Sequence, residues 1–147
     1  MSGKGTEVGS SLDDLNSILS LLDKDIYEKV FICLDTCHIN DSGVDIDKFD
    51  EFLDELDRLI GINKIKCIHI NDSYNPIGSH KDRHANLGYG TIGFDTLINV
   101  IYNPRLDNIP KILETPWINR NEKNTYAPYK YEIEMIKEKK FIDYINQ

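Results

Sequence analysis

Three short apolar runs, alternating with amphipathic helical patterns, constrain the fold of this chain most strongly. Each run is read as a buried strand, and the runs cover residues 29–35, 64–70 and 109–114. A helical pattern follows every strand, and one more precedes the first. Such regular alternation predicts parallel strands joined by right-handed crossovers. The spacing of roughly 40 residues suits part of a (β/α)₈ barrel, in which functional residues gather at the carboxyl ends of the strands.

The helical patterns have recognisable starts and stops. Ser11, with Asp14 three residues later, resembles a capping box, and Gly61 is read as a C-cap. Residues 39–47 are predicted to form a polar loop, and a polar, aromatic loop is predicted to lead to Pro128. The four predicted helices cover residues 12–22, 49–59, 94–101 and 129–146.

Side chains that commonly bind metals follow each predicted strand. The segment LDTCH ends the first strand, ILET ends the third, and the stretch from His69 to Gly93 follows the second with three His and four Gly. Two members of that stretch, Asp82 and His84, would point to the same side of an extended loop and form a carboxylate–imidazole pair suited to zinc. The six candidate ligands are Asp35, His38, His69, Asp82, His84 and Glu114.

Each of these signals alone also has a structural explanation. Asp35 could cap the loop that follows it, with His38 as an ordinary loop residue, and His69 could be structural. The sequence NDS at 71–73 is typical of a turn. Because all six candidates fall on one rim of a parallel sheet, we interpret them together as ligands of more than one metal ion.

Motifs that are absent from the sequence limit the kinds of reaction that the protein could catalyse. A nucleophile elbow, a P-loop and a dinucleotide fingerprint are all missing from the sequence. This leaves metal-assisted hydrolysis, in which a metal-bound hydroxide attacks and neighbouring ions stabilise the pentacoordinate phosphorus and the leaving oxygen. The net charge of −8 argues against a nucleic-acid partner. Bound zinc ions would add positive charge locally, so the sign of the charge at the site matters more than the global value.

Composition predicts a soluble globular domain that is neither secreted nor inserted in a membrane. The first residues lack the apolar core of a signal peptide, and no apolar run approaches the roughly 20 residues of a membrane span. Three cysteines, Cys33, Cys37 and Cys67, fit reduced, buried thiols. The expected location is cytoplasmic or nuclear, or a virion or virus factory if the source is viral.

The segments LDTCH, HINDS, GSHKDRH, LGYGTIG and ILETP, in this order and at these separations, closely resemble endonuclease IV. These are the zinc-dependent apurinic/apyrimidinic endonucleases, or AP endonuclease family 2. The resemblance covers nearly the whole chain, from SGKGTEVG to PYKYEIEMI. It implies a (β/α)₈ TIM barrel, three zinc ions, and base-excision repair by cleavage of double-stranded DNA 5′ to an abasic site.

The resemblance also implies roles for single residues. In the family, two zinc ions share a bridging carboxylate. The resemblance matches the ligands of one of these ions, which are also catalytic, to Asp35, His69 and Glu114. The full protein ligand set of a separate zinc ion is matched by His38, Asp82 and His84. Segments that approach DNA are matched by Lys4, Gly5, Ser79, Lys81 and Arg83. The three cations among these would contact phosphates, which positions the DNA without reading its sequence.

The chain also departs from the family pattern. The N-terminal half of the barrel, with two His ligands and the bridging Glu, is expected to lie outside residues 1–147, so one full and one partial zinc site are expected here. That half would come from the same or another chain. Many members have Gly-Glu-Gly where this chain has Tyr89 between two glycines, and the usual Arg is His80. Neither change removes a ligand.

Three functions therefore stay open. The chain could be the C-terminal part of an active endonuclease IV, or a catalytically inactive fragment that binds zinc and DNA. A TIM-barrel sugar isomerase or epimerase is the third, and the DRH and NDS segments count against it. The isolated chain is expected to cleave little or no DNA, and the parent protein to be active.

Overall fold

The computed structural model describes residues 1–121 and 124–146. The helices are α1 (Leu12–Ser20), α2 (Lys24–Tyr27), α3 (Thr36–Ser42), α4 (Phe49–Leu59), α5 (Phe94–Ile101) and α6 (Tyr129–Glu138). The strands are β1 (Ile32–Asp35), β2 (Ile65–His69), β3 (Asp72–Ser73), β4 (His84–Ala85), β5 (Lys111–Ile112), β6 (Ile118–Asn121) and β7 (Asn124–Tyr126). None of the helices in this described part of the chain has the length and apolar character of a bilayer span.

A parallel three-stranded sheet organises the molecule. Its strand order is β1-β2-β5, and both pairings are parallel. The register pairs Asp35 with His69, and His69 with Ile112, so the carboxyl ends of the three strands meet at one edge. The predicted alternation of parallel strands and helices is confirmed, although each strand is shorter than its apolar run.

One face of this sheet is covered and the other is open. Leu34 and Ile68 are paired in register and buried under a core that includes Leu53 and Leu56 of α4. On the opposite face Ile112 is 45% exposed, and Cys33 is exposed as well. The prediction that all three cysteines are buried is therefore wrong for Cys33.

The predicted loop over residues 39–47 is wrong at its start, because α3 begins directly after β1. The Asp35 side chain caps α3 by accepting hydrogen bonds from the backbone N–H groups of Cys37 and His38. Gly43 ends the helix in the left-handed conformation, with φ of 112°. Both cap signals are present in the sequence, but α3 is short and polar and so lacks the apolar periodicity that identifies longer helices.

The C-terminal region differs from expectation in two places. The predicted loop before Pro128 contains the antiparallel hairpin of β6 and β7. The last helix stops at Glu138, where Lys139 adopts a left-handed conformation, instead of continuing to Asn146. The chain then folds back and buries Tyr144. By contrast, α1, α4 and α5 follow their predicted bounds closely, and Ser11 caps α1 by accepting from the N–H of Asp14.

A buried carboxylate on α6 holds three segments together. Glu132 is fully buried and accepts hydrogen bonds from the side chains of Asn86, Thr115 and Tyr144 and from the N–H of Leu87. Its position ties the loop after β4, the segment after β5 and the C-terminal segment to the last helix.

We expect Glu132→Ala to lower the free energy of unfolding by about 3 kcal/mol or more, because each buried donor left without an acceptor costs about 1–3 kcal/mol. Urea unfolding followed by circular dichroism measures this loss. Glu134→Ala, on an exposed position of the same helix, serves as the control and should change stability by less than about 0.5 kcal/mol. Equal stability of the two variants would contradict this role of Glu132.

Candidate metal centre

The ends of the three parallel strands bring one carboxylate–imidazole cluster together. Asp35 ends β1, His69 ends β2, and Glu114 lies two residues beyond β5. His69 Nδ1 is 2.8 Å from Glu114 Oε2 and 3.6 Å from Asp35 Oδ2. One ligand atom from each of the three lies within 4.8 Å of the others. We call these three residues the strand-end group.

A second cluster lies beside the first. His38 comes from α3, Asp82 from the loop before β4, and His84 from β4. Asp82 Oδ1 is 3.0 Å from His38 Nε2 and 3.4 Å from His84 Nε2. We call these three residues the loop group. The spacing argument placed Asp82 and His84 together correctly, but Asp82 has φ of 60° and is not extended as that argument assumed.

The orientation of the His84 ring suits the loop group to binding a cation. His84 Nδ1 is 3.1 Å from the carbonyl oxygen of Glu114, and a carbonyl only accepts, so Nδ1 is the donor of this hydrogen bond. In the tautomer that carries its single proton on Nδ1, Nε2 offers its lone pair to a metal ion. Nε2 is buried and has no hydrogen-bond partner within residues 1–121 and 124–146, and it faces the carboxylates of Asp82 and Asp35 at 3.4 Å and 3.6 Å.

These features fit zinc. Two imidazoles and one carboxylate are a common zinc ligand set, and a ligating His usually donates its other N–H to a carbonyl or carboxylate. A buried lone pair beside anionic oxygens is costly unless a cation or donor satisfies it. The loop group thus has the donor atoms and the fixed ring orientation of a zinc site, and the strand-end group has a matching set of donors.

Asn71 links the ligands of the strand-end group, a role that sequence reasoning missed. This fully buried side chain donates to Asp35 Oδ2 at 3.0 Å and accepts from the N–H of Glu114 at 3.0 Å. Its backbone N–H and carbonyl both bond to the hydroxyl of Thr36, at 2.9 Å and 2.6 Å. The NDS segment was interpreted as possible turn chemistry, and only the folded strand order shows that Asn71 bridges β1 and β5.

Asp41 fixes the loop that carries Asp82. The Asp41 carboxylate is fully buried at the end of α3 and accepts from the backbone N–H of Asp82 at 2.9 Å and from the hydroxyl of Ser73 at 2.7 Å. The Asp41 carbonyl accepts from the N–H of His80. Since His38 lies one turn earlier on the same helix, α3 positions two members of the loop group.

We expect Asp41→Asn to weaken zinc binding at the loop group by roughly 10- to 100-fold, the usual cost of disturbing a residue that orients a ligand. The amide could direct its NH₂ group at the N–H of Asp82, where the carboxylate now accepts. Competition with a chromophoric chelator measures the affinity. Asp25→Asn, at an exposed position on α2, is the control, and an affinity equal to that of this control would contradict the role of Asp41.

The LGYGTIG segment wraps around one buried carboxylate. Asp72 accepts hydrogen bonds from the backbone N–H groups of five residues, namely Ser73, Gly88, Gly90, Ile92 and Gly93. Burial raises the pKa of Asp72 above its usual range, and the backbone donors oppose that shift. A Cβ at Gly90 would overlap the carboxylate and the Ser73 carbonyl, so this close approach requires glycine.

The two departures from the family pattern both have structural roles. The Tyr89 hydroxyl donates to Asp143 at 2.7 Å, and its ring contacts Phe141 and Tyr144 edge-on. Tyr89 therefore ties this loop to the C-terminal segment. His80 Nδ1 is 2.9 Å from the carbonyl oxygen of Ser2, which joins the N-terminal loop to the loop that carries Asp82.

That contact brings the candidate DNA-binding residues into neighbouring loops. Lys4, Lys81 and Arg83 are exposed, and within residues 1–121 and 124–146 none of them forms an ion pair. Gly5 is exposed too, and the hydroxyl of Ser79 is buried without a partner among the described residues. The structure thus presents three available cations beside the loop group of an acidic chain.

Thiol nucleophiles are not favoured by this site. Partial desolvation and the neighbouring Cys67 raise the pKa of Cys33 to about 11, and burial raises the pKa of Cys37 to about 12. Both thiols are therefore protonated at neutral pH, whereas nucleophilic catalysis needs a thiolate.

Comparison with known proteins supports the same architecture. A family model described as "Xylose isomerase-like TIM barrel" matches residues 1–139. The crystal structure of endonuclease IV from Thermus thermophilus superposes with a TM-score of 0.74 at 31% identity, over 94% of this chain and 46% of that one. The predicted fold class, a part of a TIM barrel, is confirmed.

Curated relatives agree with this match. "Probable endonuclease 4" of Ureaplasma urealyticum serovar 10 is 54% identical over 145 residues, which are 97% of this chain and 47% of the relative. The protein of the same name from Bacillus subtilis (strain 168) is 49% identical over 144 residues, which are 97% of this chain and 48% of the relative. The chain thus spans about half the length of these relatives.

Proposed function

The chain belongs to the endonuclease IV family, and on this premise we propose that it forms part of a zinc-dependent nuclease of DNA base-excision repair. The proposed reaction is hydrolysis of the phosphodiester 5′ to an apurinic/apyrimidinic site in double-stranded DNA. One observation carries the proposal: the buried Nε2 atom of His84 lies between the carboxylates of the loop group and the strand-end group.

Zinc would be held by two sets of residues. His38, Asp82 and His84 form the first set, and Asp35, His69 and Glu114 form the second. When bound, zinc supplies Lewis acidity and positive charge at this edge of the sheet, where a phosphodiester oxygen develops negative charge. The remaining polar groups orient these ligands, since Asn71 and Asp41 hold the carboxylates and loop in place.

The exposed cations support a DNA substrate. Lys4, Lys81 and Arg83 lie on the two loops that His80 joins, and the second of these loops contains Asp82. We propose that the three side chains bind phosphates and so position the backbone over the metal centre. A substrate of this kind places the protein in the compartment that holds DNA, the cytoplasm or the nucleus.

The open sheet supports completion of the barrel by further strands. β1 and β5 are the edge strands of the three-stranded sheet, and the uncovered face includes the exposed Ile112. A cavity of about 730 Å³ beside β1 is lined largely by apolar residues, Phe31 and Val30 among them. We propose that strands from the same or another polypeptide pair with β1 and β5 and complete residues 1–147 to a full barrel.

A chimaera tests the proposed function directly. In the Bacillus subtilis relative, the segment matched by this chain would be replaced by this chain, and the protein would be incubated with a duplex that contains one abasic site. We expect incision 5′ to the site, loss of incision with EDTA, and recovery with zinc. A folded, zinc-loaded chimaera that does not cut, while the unaltered relative does, would contradict the proposal and favour a protein that only binds zinc and DNA.

A further inference from the structure

Two cysteines lie one layer beneath the strand-end group on the open face of the sheet. Cys33 of β1 is paired in register with Cys67 of β2, just as Asp35 is paired with His69 two residues later. Side chains two residues apart on a strand point to the same face. The two thiols therefore line the same face as the carboxylate and the imidazole of the strand-end group.

The geometry around these thiols is that of a ligand set. Cys33, Cys67 and His69 each offer a ligand atom that lies within 4.8 Å of the other two. The two residues are directly paired in register, and neither cysteine is in a disulfide. Metal–sulfur bonds of about 2.3 Å and metal–nitrogen bonds of about 2.0 Å place two ligands of one ion less than about 5 Å apart, so small side-chain rotations suffice.

The chemistry of this set differs from that of its neighbour. Asp35 and Glu114 provide hard oxygen atoms, whereas two sulfur atoms and one imidazole favour soft and borderline cations such as Cd²⁺ and Zn²⁺. Both sets include His69, and a neutral imidazole has only one nitrogen with a free lone pair. His69 can therefore serve one ion at a time.

We propose that Cys33, Cys67 and His69 form a binding site for a soft, thiophilic cation such as Cd²⁺, and that occupancy of this site withdraws His69 from Asp35 and Glu114. Both thiols release their protons to solvent on binding. The site makes the strand-end group sensitive to soft metals, because the ion is captured directly beneath it. The withdrawal of His69 rests on the proposed function of the strand-end group, but the binding itself does not.

Titration of the full chain with Cd²⁺ under a non-thiol reductant tests the binding. We expect a cadmium–thiolate charge-transfer band in the ultraviolet that saturates at about one equivalent with the intensity of two thiolates. Cys33→Ser and Cys67→Ser should each remove about half of the band and weaken binding by at least roughly tenfold. Cys37→Ser is the matched control, since Cys37 is buried on α3, and it should leave the band unchanged.

Two further measurements keep the inference independent of variant folding and of the proposed function. In the unaltered chain, Cd²⁺ should protect Cys33 and Cys67 from alkylation, as read by mass spectrometry. Glu114→Gln, which disables the strand-end group, should retain the full cadmium band. A band that survives in the Cys33→Ser/Cys67→Ser double variant, or that disappears in Cys37→Ser, would overturn the site. If Cd²⁺ binds to the zinc-loaded chain and no zinc is released from the strand-end group, only the shared use of His69 would be overturned.

Discussion

Replacing His84 by alanine is expected to abolish zinc binding at the loop group at micromolar metal. A four-coordinate structural zinc site contributes about 10–16 kcal/mol of binding free energy, so one ligand accounts for about 3–4 kcal/mol, or roughly 10²- to 10³-fold in affinity. His84 is the candidate ligand whose Nδ1 donates to the Glu114 carbonyl and whose Nε2 is buried with no hydrogen-bond partner among the described residues. The variant therefore lacks the ligand atom of the loop group that is best positioned to bind zinc.

Isothermal titration calorimetry of the metal-free chain with zinc measures the zinc affinity of each variant. Elemental analysis after gel filtration gives the amount of zinc that stays bound. The matched control is His80→Ala, because His80 lies four residues earlier and contacts Ser2 instead of the loop group. The control should bind zinc as the unaltered chain does. Equal zinc affinity of the two variants would show that His84 is not a ligand.

The second large effect is expected for Glu114→Gln. The amide keeps the shape of the side chain but removes the negative charge that lies 2.8 Å from His69 Nδ1. The backbone of Glu114 still donates to Asn71 and accepts from His84, so the loop group should stay intact. Loss of an anionic metal ligand from the reacting site should lower incision by the chimaera by about 10³-fold or more.

Single-turnover incision of an abasic duplex by the chimaera gives the rate, and zinc titration shows which group is affected. We expect the loop group to bind zinc with unchanged affinity in Glu114→Gln. Glu134→Gln, on the exposed side of α6, is the control for a neutralised glutamate. A full incision rate in Glu114→Gln would exclude Glu114 from the proposed chemistry.

The rim of the sheet was predictable from the sequence because it depends on local patterns. Short apolar runs identify the strands, and parallel strands with helical crossovers place all carboxyl ends at one edge. For this reason Asp35, His69 and Glu114 could be predicted to converge before any distance was known. His38 converges with them because Asp35 caps α3 and starts a helix immediately after the strand.

The supporting residues could not be predicted, because their partners are distant in the chain. Asn71 contacts Asp35, which is 36 positions earlier in the chain, and Glu114, which is 43 positions later. Asp41 contacts Asp82 across 41 positions. Nothing local distinguishes such a buried Asn or Asp from one in an ordinary polar turn. The hairpin of β6 and β7 was missed for a related reason, since its polar strands lack an apolar alternation.

The most direct test of the proposed metal centre is an anomalous difference map, calculated at the zinc absorption edge, from crystals grown with zinc. We predict a peak at about 2.0–2.2 Å from His38 Nε2, Asp82 Oδ1 and His84 Nε2, the bond lengths of zinc to nitrogen and carboxylate oxygen. Crystals of the folded chain in which this position has no peak, while zinc binds at other surface residues, would contradict the account.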